Sequence, residues 1–288
     1  MKIMIIGASG LIGESLVKSF SAKHEVIAAD IEPLDGKTQK LDITDVLSLR
    51  KFILDNKPRA LLFPAANPNV DGCEENPLKC EPVNITGPQN AAAAAKECGA
   101  KFVFFSSDYV FDGKNGPYDE SATPNPVSEY GREKLSVEEF ISKNIKDYII
   151  IRTTVVYGPE KRGKNFVLSL IKRLRAGEKF KIPADQIGTP AYSPDIAGAV
   201  VKLVEKGAAG IFNVAGPELV GRMRFAELAC DVFGLNRQLL VPVKTVELGQ
   251  KAKRPLNAGL KIDKLLSTVP VTMNGPEEGL KKLRMELN

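Results

Sequence analysis

The chain has 288 residues, 43% hydrophobic and 26% charged, enough for one large α/β domain or a domain with a smaller lobe, built on a core that needs no staples. That balance excludes disorder, a collagen repeat and a disulfide scaffold. Lys and Arg number 40 against 35 Asp and Glu, a net charge of +5, and the basic residues are scattered rather than blocked, so no nucleic-acid partner is expected. His24, the single histidine, reads as a solvated loop or strand-start residue; no metal site and no Ser-His-Asp triad are expected. Cys73, Cys80, Cys98 and Cys230 include no C-x-x-C pair and read as reduced packing thiols of a cytoplasmic protein. The apolar run after Met1 is too short for a signal peptide. No stretch approaches the roughly 18 apolar residues of a membrane span, so no membrane partner is expected.

In chain order, short β-branched or aromatic runs alternate with longer amphipathic ones. Strands are expected over 2–6, 25–29, 60–63, 101–106, 148–153 and 210–214, and helices over 10–21, 45–56, 87–98, 129–143 and 194–206. This alternation predicts an α/β fold, a doubly wound parallel sheet of Rossmann type flanked by helices. Beyond 214 it decays into helical segments at 224–233, 262–267 and 276–287, and an insertion at 158–185 interrupts it earlier. The expected division is a dinucleotide-binding domain of 1–157 and 186–216, with a smaller α/β substrate lobe of 158–185 and 217–288.

Directly after the first strand comes Gly7-Ala8-Ser9-Gly10-Leu11-Ile12-Gly13, opening the first helix. Glycines there permit a tight turn and close approach to a pyrophosphate, whose charge the helix N-terminus meets. Glu14 and Ser15 follow, where a P-loop requires Lys and Ser or Thr. Asp30, at the end of the second strand, is placed to accept ribose hydroxyls, and 28–36 contains no Arg or Lys to hold a 2′-phosphate. NAD(H) is therefore preferred, with NADP(H) left open. Asp42 and Ile43 stand where the next loop meets the adenine, and Ala65 and Ala66, beyond the third strand, complete the expected cofactor contacts.

A tyrosine four residues before a lysine on a helix places both side chains on one face, where the ammonium can lower the phenol's pKa and make it a usable proton donor. The spacing occurs twice. Tyr157 and Lys161 are separated by a helix-breaking Gly-Pro, whereas Tyr130-Gly131-Arg132-Glu133-Lys134 runs on into Leu135, Val137 and Phe140 at helical spacing. The second pair is therefore chosen. Ser106, Ser107 and Asp108 end a strand where a third partner belongs.

Together these motifs resemble the extended short-chain dehydrogenase/reductase family, and within it the dTDP-4-dehydrorhamnose reductase group. Ser106 to Gly113, S-S-D-Y-V-F-D-G here, resembles that group's S-T-D-Y-V-F-D-G, with Ser107 at the threonine. The likeness continues through Val83-Asn84, Tyr130 to Lys134, Arg152-Thr153, Val156 to Gly158, Asn165 to Val167, Asp185 to Pro190 and Arg254 to Asn257. It implies that Ser107 holds a substrate carbonyl, Tyr130 protonates it, and Lys134 binds the nicotinamide ribose and tunes Tyr130. Hydride from NAD(P)H then reaches C4 of a nucleotide-linked 4-keto-6-deoxy sugar. Asp108, Tyr109 and Arg254 are implied on the substrate side, Arg254 facing the diphosphate or lying in a solvated basic turn. Val155 stands where the group often carries tryptophan, which leaves the sugar open. Two related alternatives are the non-catalytic regulatory β subunit of methionine adenosyltransferase and an NAD-dependent nucleotide-sugar epimerase or dehydratase. A homodimer is compatible with the sequence without being dictated by it.

Overall fold

In the computed structural model, which describes residues 1–287, one parallel sheet contains β1 (Lys2–Ile6), β2 (Glu25–Asp30), β3 (Gln39–Lys40), β4 (Ala60–Phe63), β5 (Lys101–Ser107), β6 (Tyr148–Thr153) and β7 (Gly210–Asn213). Their order is β7-β6-β5-β4-β1-β2-β3. Within this sheet only β3, two residues long, was absent from the expected strands, because so short a run shows no alternation.

The sheet is buried on both faces, and successive residues of each strand feed opposite faces. Ile3 and Ile5 of β1, Val103 and Phe105 of β5, and Ile149 and Ile151 of β6 join one apolar cluster. Met4, Ile6, Phe102, Phe104 and Ile150 join the other. This is why the strands read as near-continuous apolar runs.

The helices in chain order are α1 (Leu11–Ser21), α2 (Val46–Asn56), α3 (Val70–Glu75), α4 (Pro77–Glu81), α5 (Gly87–Glu97) and α6 (Glu129–Asn144). There follow α7 (Phe166–Arg175), α8 (Ser193–Lys206), α9 (Arg222–Phe233), α10 (Asp263–Thr268) and α11 (Pro276–Leu287). Leu16 and Phe20 of α1, Ile196 and Val200 of α8 and Leu265 of α10 cover the first face. Leu49 of α2, the Ala91 to Ala95 face of α5, and Val137 and Ile141 of α6 cover the second. A third cluster joins α7, α9 and α11, with Val167, Phe225 and Leu280 in its centre. Two strands not expected from the sequence, Phe180–Pro183 and Leu240–Val243, pair in parallel beside it. No helix among the described residues is long and apolar enough to cross a membrane.

Two expectations are corrected. The His24 side chain is only 9% exposed: its ring lies 5.7 Å from that of Phe20 and 3.1 Å from Glu205, because the strand start is wedged between α1 and α8. Cys73 and Cys80 form a disulfide rather than remaining reduced thiols. Asn76 and Pro77 break the helix between them and fold α4 back on α3, so positions seven apart come to a Cα separation of 5.5 Å. Cys98 and Cys230 are free.

Helix α6 is seated on the sheet by a buried ion pair. Arg152 of β6 donates to Glu138 at 3.0 Å and 2.6 Å, and each side chain is 3% exposed. Removing one partner leaves the other buried and uncompensated, so Arg152→Met should cost about 3–5 kcal/mol of stability. The double variant Arg152→Met/Glu138→Leu should recover most of that loss. Chemical denaturation of the four members of this cycle measures both effects; additive losses would show that the pair is not coupled.

Candidate active site

The sheet order reverses at β1, with β2 on one side and β4 on the other, and a cleft of about 710 Å³ opens across the carboxyl ends of these strands. Immediately after β1, Gly7 adopts φ +96°, and its N–H and that of Ala8 both donate to Ala29 O. A Cβ on Gly7 would lie 2.5 Å from Ala65 N, and one on Gly13 would lie 2.0 Å from Gly7 O. Only glycine fits either position, so the start of α1 is pressed against the strand ends with its N-terminus facing the cleft.

Gly7, Gly10, Leu11, Ile12 and Gly13 line this end of the cleft. Asp30, Asp42, Ile43, Ala65 and Ala66 line it as well. Ser9 lies behind them, its N–H donating to Asp30 Oδ2 at 2.9 Å. Asp30 Oδ1 accepts from Glu32 N, and the residue is 7% exposed, so the carboxylate is held rigidly at the strand end. Asp42 accepts from Thr44 N and Oγ1, a turn that fixes the loop at the cleft wall. A backbone cradle without Cβ atoms, beside a helix N-terminus and a fixed carboxylate, fits a dinucleotide.

At the other end, Ser107, Asp108, Tyr109, Tyr130 and Lys134 line the same cleft. Ser128 caps α6 by accepting from Gly131 N, and Glu74 of α3 accepts from Glu129 N at 2.7 Å. A Cβ on Gly131 would lie 2.2 Å from Tyr109 O. The glycine inside the Tyr-Gly-Arg-Glu-Lys motif therefore lets the first turn of α6 rest on the segment after β5, bringing Tyr130 against Tyr109 on the cleft wall that also carries Ser107. The Tyr109 and Tyr130 rings meet edge to face at 5.7 Å. Ser107 Oγ donates to Asp108 Oδ1 at 2.9 Å, and Thr154 Oγ1 donates to Asp108 Oδ2 at 2.6 Å.

The electrostatics depart from the expected tuning of the phenol by its lysine. Lys134 donates to Phe105 O at 3.0 Å, and its Nζ lies 5.7 Å from the centre of the Tyr130 ring. Burial, with smaller contributions from Tyr109, Asp108 and Glu133, pushes the Tyr130 phenol above its ordinary range. Burial also pulls Lys134 down to about 8, against the opposing pull of Glu133 and Glu138. Desolvation is the largest effect on both groups. Asp108 is raised to about 6, again by burial, with the Thr154 and Ser107 hydrogen bonds opposing.

Tyr157, the rejected member of the other pair, is completely buried and contacts α11, its hydroxyl near Pro276 O. Its Lys161 reaches instead toward Asp35 at 3.9 Å. Arg254 is not in the cleft lining: it is 3.0 Å from Asp71 on α3 and lies over the Tyr109 ring at 6.0 Å.

Two arginines of the lining, Arg162 and Arg222, were not among the expected site residues, and Val155 has a backbone conformation that the sequence did not announce. Val155 has φ +42°, a left-handed conformation rare for a β-branched residue, at the position compared above with tryptophan. Arg222, first residue of α9, stacks over Phe166 at 5.0 Å and lies near Asp108 and Tyr109. Arg162 reaches back from the insertion to Asp30 and Glu32. No local pattern marks these two arginines, because the groups they meet are far away in sequence.

A family model described as RmlD substrate binding domain matches residues 1–288. A dTDP-4-dehydrorhamnose reductase of Aggregatibacter actinomycetemcomitans is 30% identical over 297 residues, covering 98% of each chain. The crystal structure of a dTDP-4-dehydrorhamnose reductase from Clostridium acetobutylicum has a TM-score of 0.90 and 35% identity, covering 100% of this chain and 99% of that one. Another, from Bacillus anthracis in complex with NADP, has a TM-score of 0.89 and 30% identity, covering 99% of each. With the glycine turn, the cleft and the Ser107, Tyr130, Lys134 wall in place, and a match running the length of the chain, the protein belongs to the RmlD substrate-binding-domain family.

Proposed function

We propose that the protein is an NAD(P)H-dependent oxidoreductase that reduces the 4-keto group of a nucleotide-linked 4-keto-6-deoxy sugar. The observation that carries this reading is one continuous cleft with Ser107, Tyr130 and Lys134 on one wall and the Gly7 turn and Asp30 at the far end. A bound nicotinamide supplies the hydride. Ser107 turns its hydroxyl from Asp108 to the substrate carbonyl, donates a hydrogen bond to it and orients it toward Tyr130. Tyr130, kept un-ionised by burial, gives its proton to the carbonyl oxygen as negative charge develops there. Lys134 holds the nicotinamide ribose.

Residues 7 and 9–13 receive the pyrophosphate, Asp30 the adenosine ribose, and Asp42, Ile43, Ala65 and Ala66 the adenine side. Asp108 and Tyr109 form the sugar-nucleotide wall, Arg254 stands behind the Tyr109 ring and positions it, and the Arg222 guanidinium faces the diphosphate. In this reading 1–157 and 186–216 form the dinucleotide-binding domain and 158–185 with 217–288 the smaller lobe that closes over the substrate side, the two sharing the cleft between them, Asn288 lying outside the described residues. The protein works in the cytoplasm, as a monomer or a homodimer.

Assay against a panel of nucleotide-bound 4-keto-6-deoxyhexoses should show substrate-dependent oxidation of the reduced cofactor. Failure across the panel, with co-purification of a methionine adenosyltransferase, would replace catalysis by the regulatory reading. Tyr130→Phe keeps the ring but deletes the proton, and should lower kcat by about 10² to 10⁴ with cofactor affinity little changed. Tyr157→Phe is the control, and a larger loss there would mean that the wrong tyrosine carries the chemistry.

The Lys134 ammonium is charged below about pH 8 and loses its charge as pH rises through that value. A charge-assisted bond to the ribose is stronger than a neutral one. The expected profile of kcat/KM therefore falls on the alkaline side of about pH 8, and Lys134→Met, weaker throughout, lacks that limb. An identical limb in the variant would assign it to another group.

Asp30 and Glu32 disfavour a 2′-phosphate, so NADH should bind more tightly than NADPH, and Asp30→Ala should narrow the difference. Titration of both nucleotides into both proteins checks this, and tighter NADPH binding by the unaltered protein would contradict it.

A further inference from the structure

The segment from Gly158 to Asn165 crosses the cleft like a strap. Asn165 closes it at the base, its Nδ2 donating to Gly158 O at 3.0 Å while its Oδ1 caps α7 at Leu168 N. In the middle, Lys161 N donates to Glu14 Oε1 on α1, and Lys161 Nζ faces Asp35 beyond β2. The strap therefore bridges the glycine turn and the acidic loop that follows β2. Arg162 projects from it toward that loop. Its Nη1 is 3.0 Å from Glu32 Oε2, and its Nη2 donates to Glu32 O at 3.0 Å and lies 3.5 Å from Asp30 Oδ1. Among the described residues, the buried Nε of Arg162 has no partner.

We propose that Arg162 is the residue that admits the 2′-phosphate of NADP(H), a specificity determinant supplied by the strap rather than by the loop after β2. The assignment rests on the functional reading above and deepens it.

Asp30 marks the ribose hydroxyls of the adenosine half, and a guanidinium within reach of its carboxylate is within reach of a group attached at the 2′ position. The Glu32 side chain that now holds Nη1 is 72% exposed, so its water-screened pairing is readily exchanged for a phosphate dianion. The planar fork offers two parallel donors to phosphate oxygens, and the partnerless Nε is one more donor on the same side chain. With NAD(H) the guanidinium stays on Asp30 and Glu32. With NADP(H) it offsets the repulsion that these two carboxylates exert on the phosphate. A cleft whose β2 loop is acidic is in this way open to both nucleotides.

The test is direct titration of NADH and NADPH, by cofactor fluorescence or calorimetry, into the unaltered protein, Arg162→Ala and Arg162→Lys. Arg162→Ala should raise the ratio of NADPH Kd to NADH Kd by about ten- to a hundredfold, the scale of a lost charge-assisted hydrogen-bond pair. Arg162→Lys, which keeps the charge without the fork, should raise it by less. The effect should shrink as salt is added. Equal weakening of both nucleotides would reduce Arg162 to a general clasp and overturn the proposal, as would an unchanged ratio. If the unaltered protein binds neither nucleotide, the functional reading itself falls, and this assignment with it.

Discussion

The active cleft depends on a close approach of backbone to backbone at the glycine turn. Gly7 abuts the chain leaving β4, and Gly13 abuts the carbonyl of Gly7, so three segments meet where side chains would hold them apart. This contact sets the start of α1 against the carboxyl edge of the sheet, at the point where strand order reverses. The position of Asp30 follows, because Ser9, inside the same turn, donates its N–H to that carboxylate.

The opposite wall is set by how α6 is seated. Gly131 rests on Tyr109 O, Glu74 of α3 receives the N–H of Glu129, and Glu138 is held by Arg152 inside the protein. Each contact joins α6 to a different part of the molecule, so the Tyr130 and Lys134 side chains are positioned by the tertiary frame as well as by helical spacing. The disulfide of α3 with α4 adds to this frame, because α3 also carries Asp71, the partner of Arg254 and of Ala252 N. The loop near Arg254 is tied through α3 to the helix that bears Tyr130.

Burial changes the chemistry that spacing alone suggests. A lysine one helical turn from a tyrosine lowers the phenol's pKa only if its charge outweighs the cost of desolvating the phenolate, and here both groups are withdrawn from water. A phenol kept protonated is suited to giving a proton to an oxygen that is acquiring negative charge. Lys134, drawn down to about 8 by burial, loses its charge under mildly alkaline conditions.

Several features were determined by sequence because they arise from short-range constraints. Strand alternation, the Gly7 to Gly13 turn, and the placement of Tyr130 and Lys134 on one helix face all follow from periods of two or 3.6 residues and from the absence of Cβ atoms. The choice of Tyr130 over Tyr157 was likewise local, since Gly-Pro cannot continue a helix. Tertiary structure alone decided what depends on distant segments meeting. Cys73 and Cys80 became partners because a Pro-initiated helix turned back on its neighbour, and His24 lost its solvent because α8 packs beside it. Arg162 lies 132 residues from Asp30, so residues 28–36 show no cation, although the fold supplies one from the strap. Charges act through space and are not bounded by sequence neighbourhood, and that is why the glycine turn and the helix of Tyr130 and Lys134 were legible while the electrostatic surroundings of Asp30 were not.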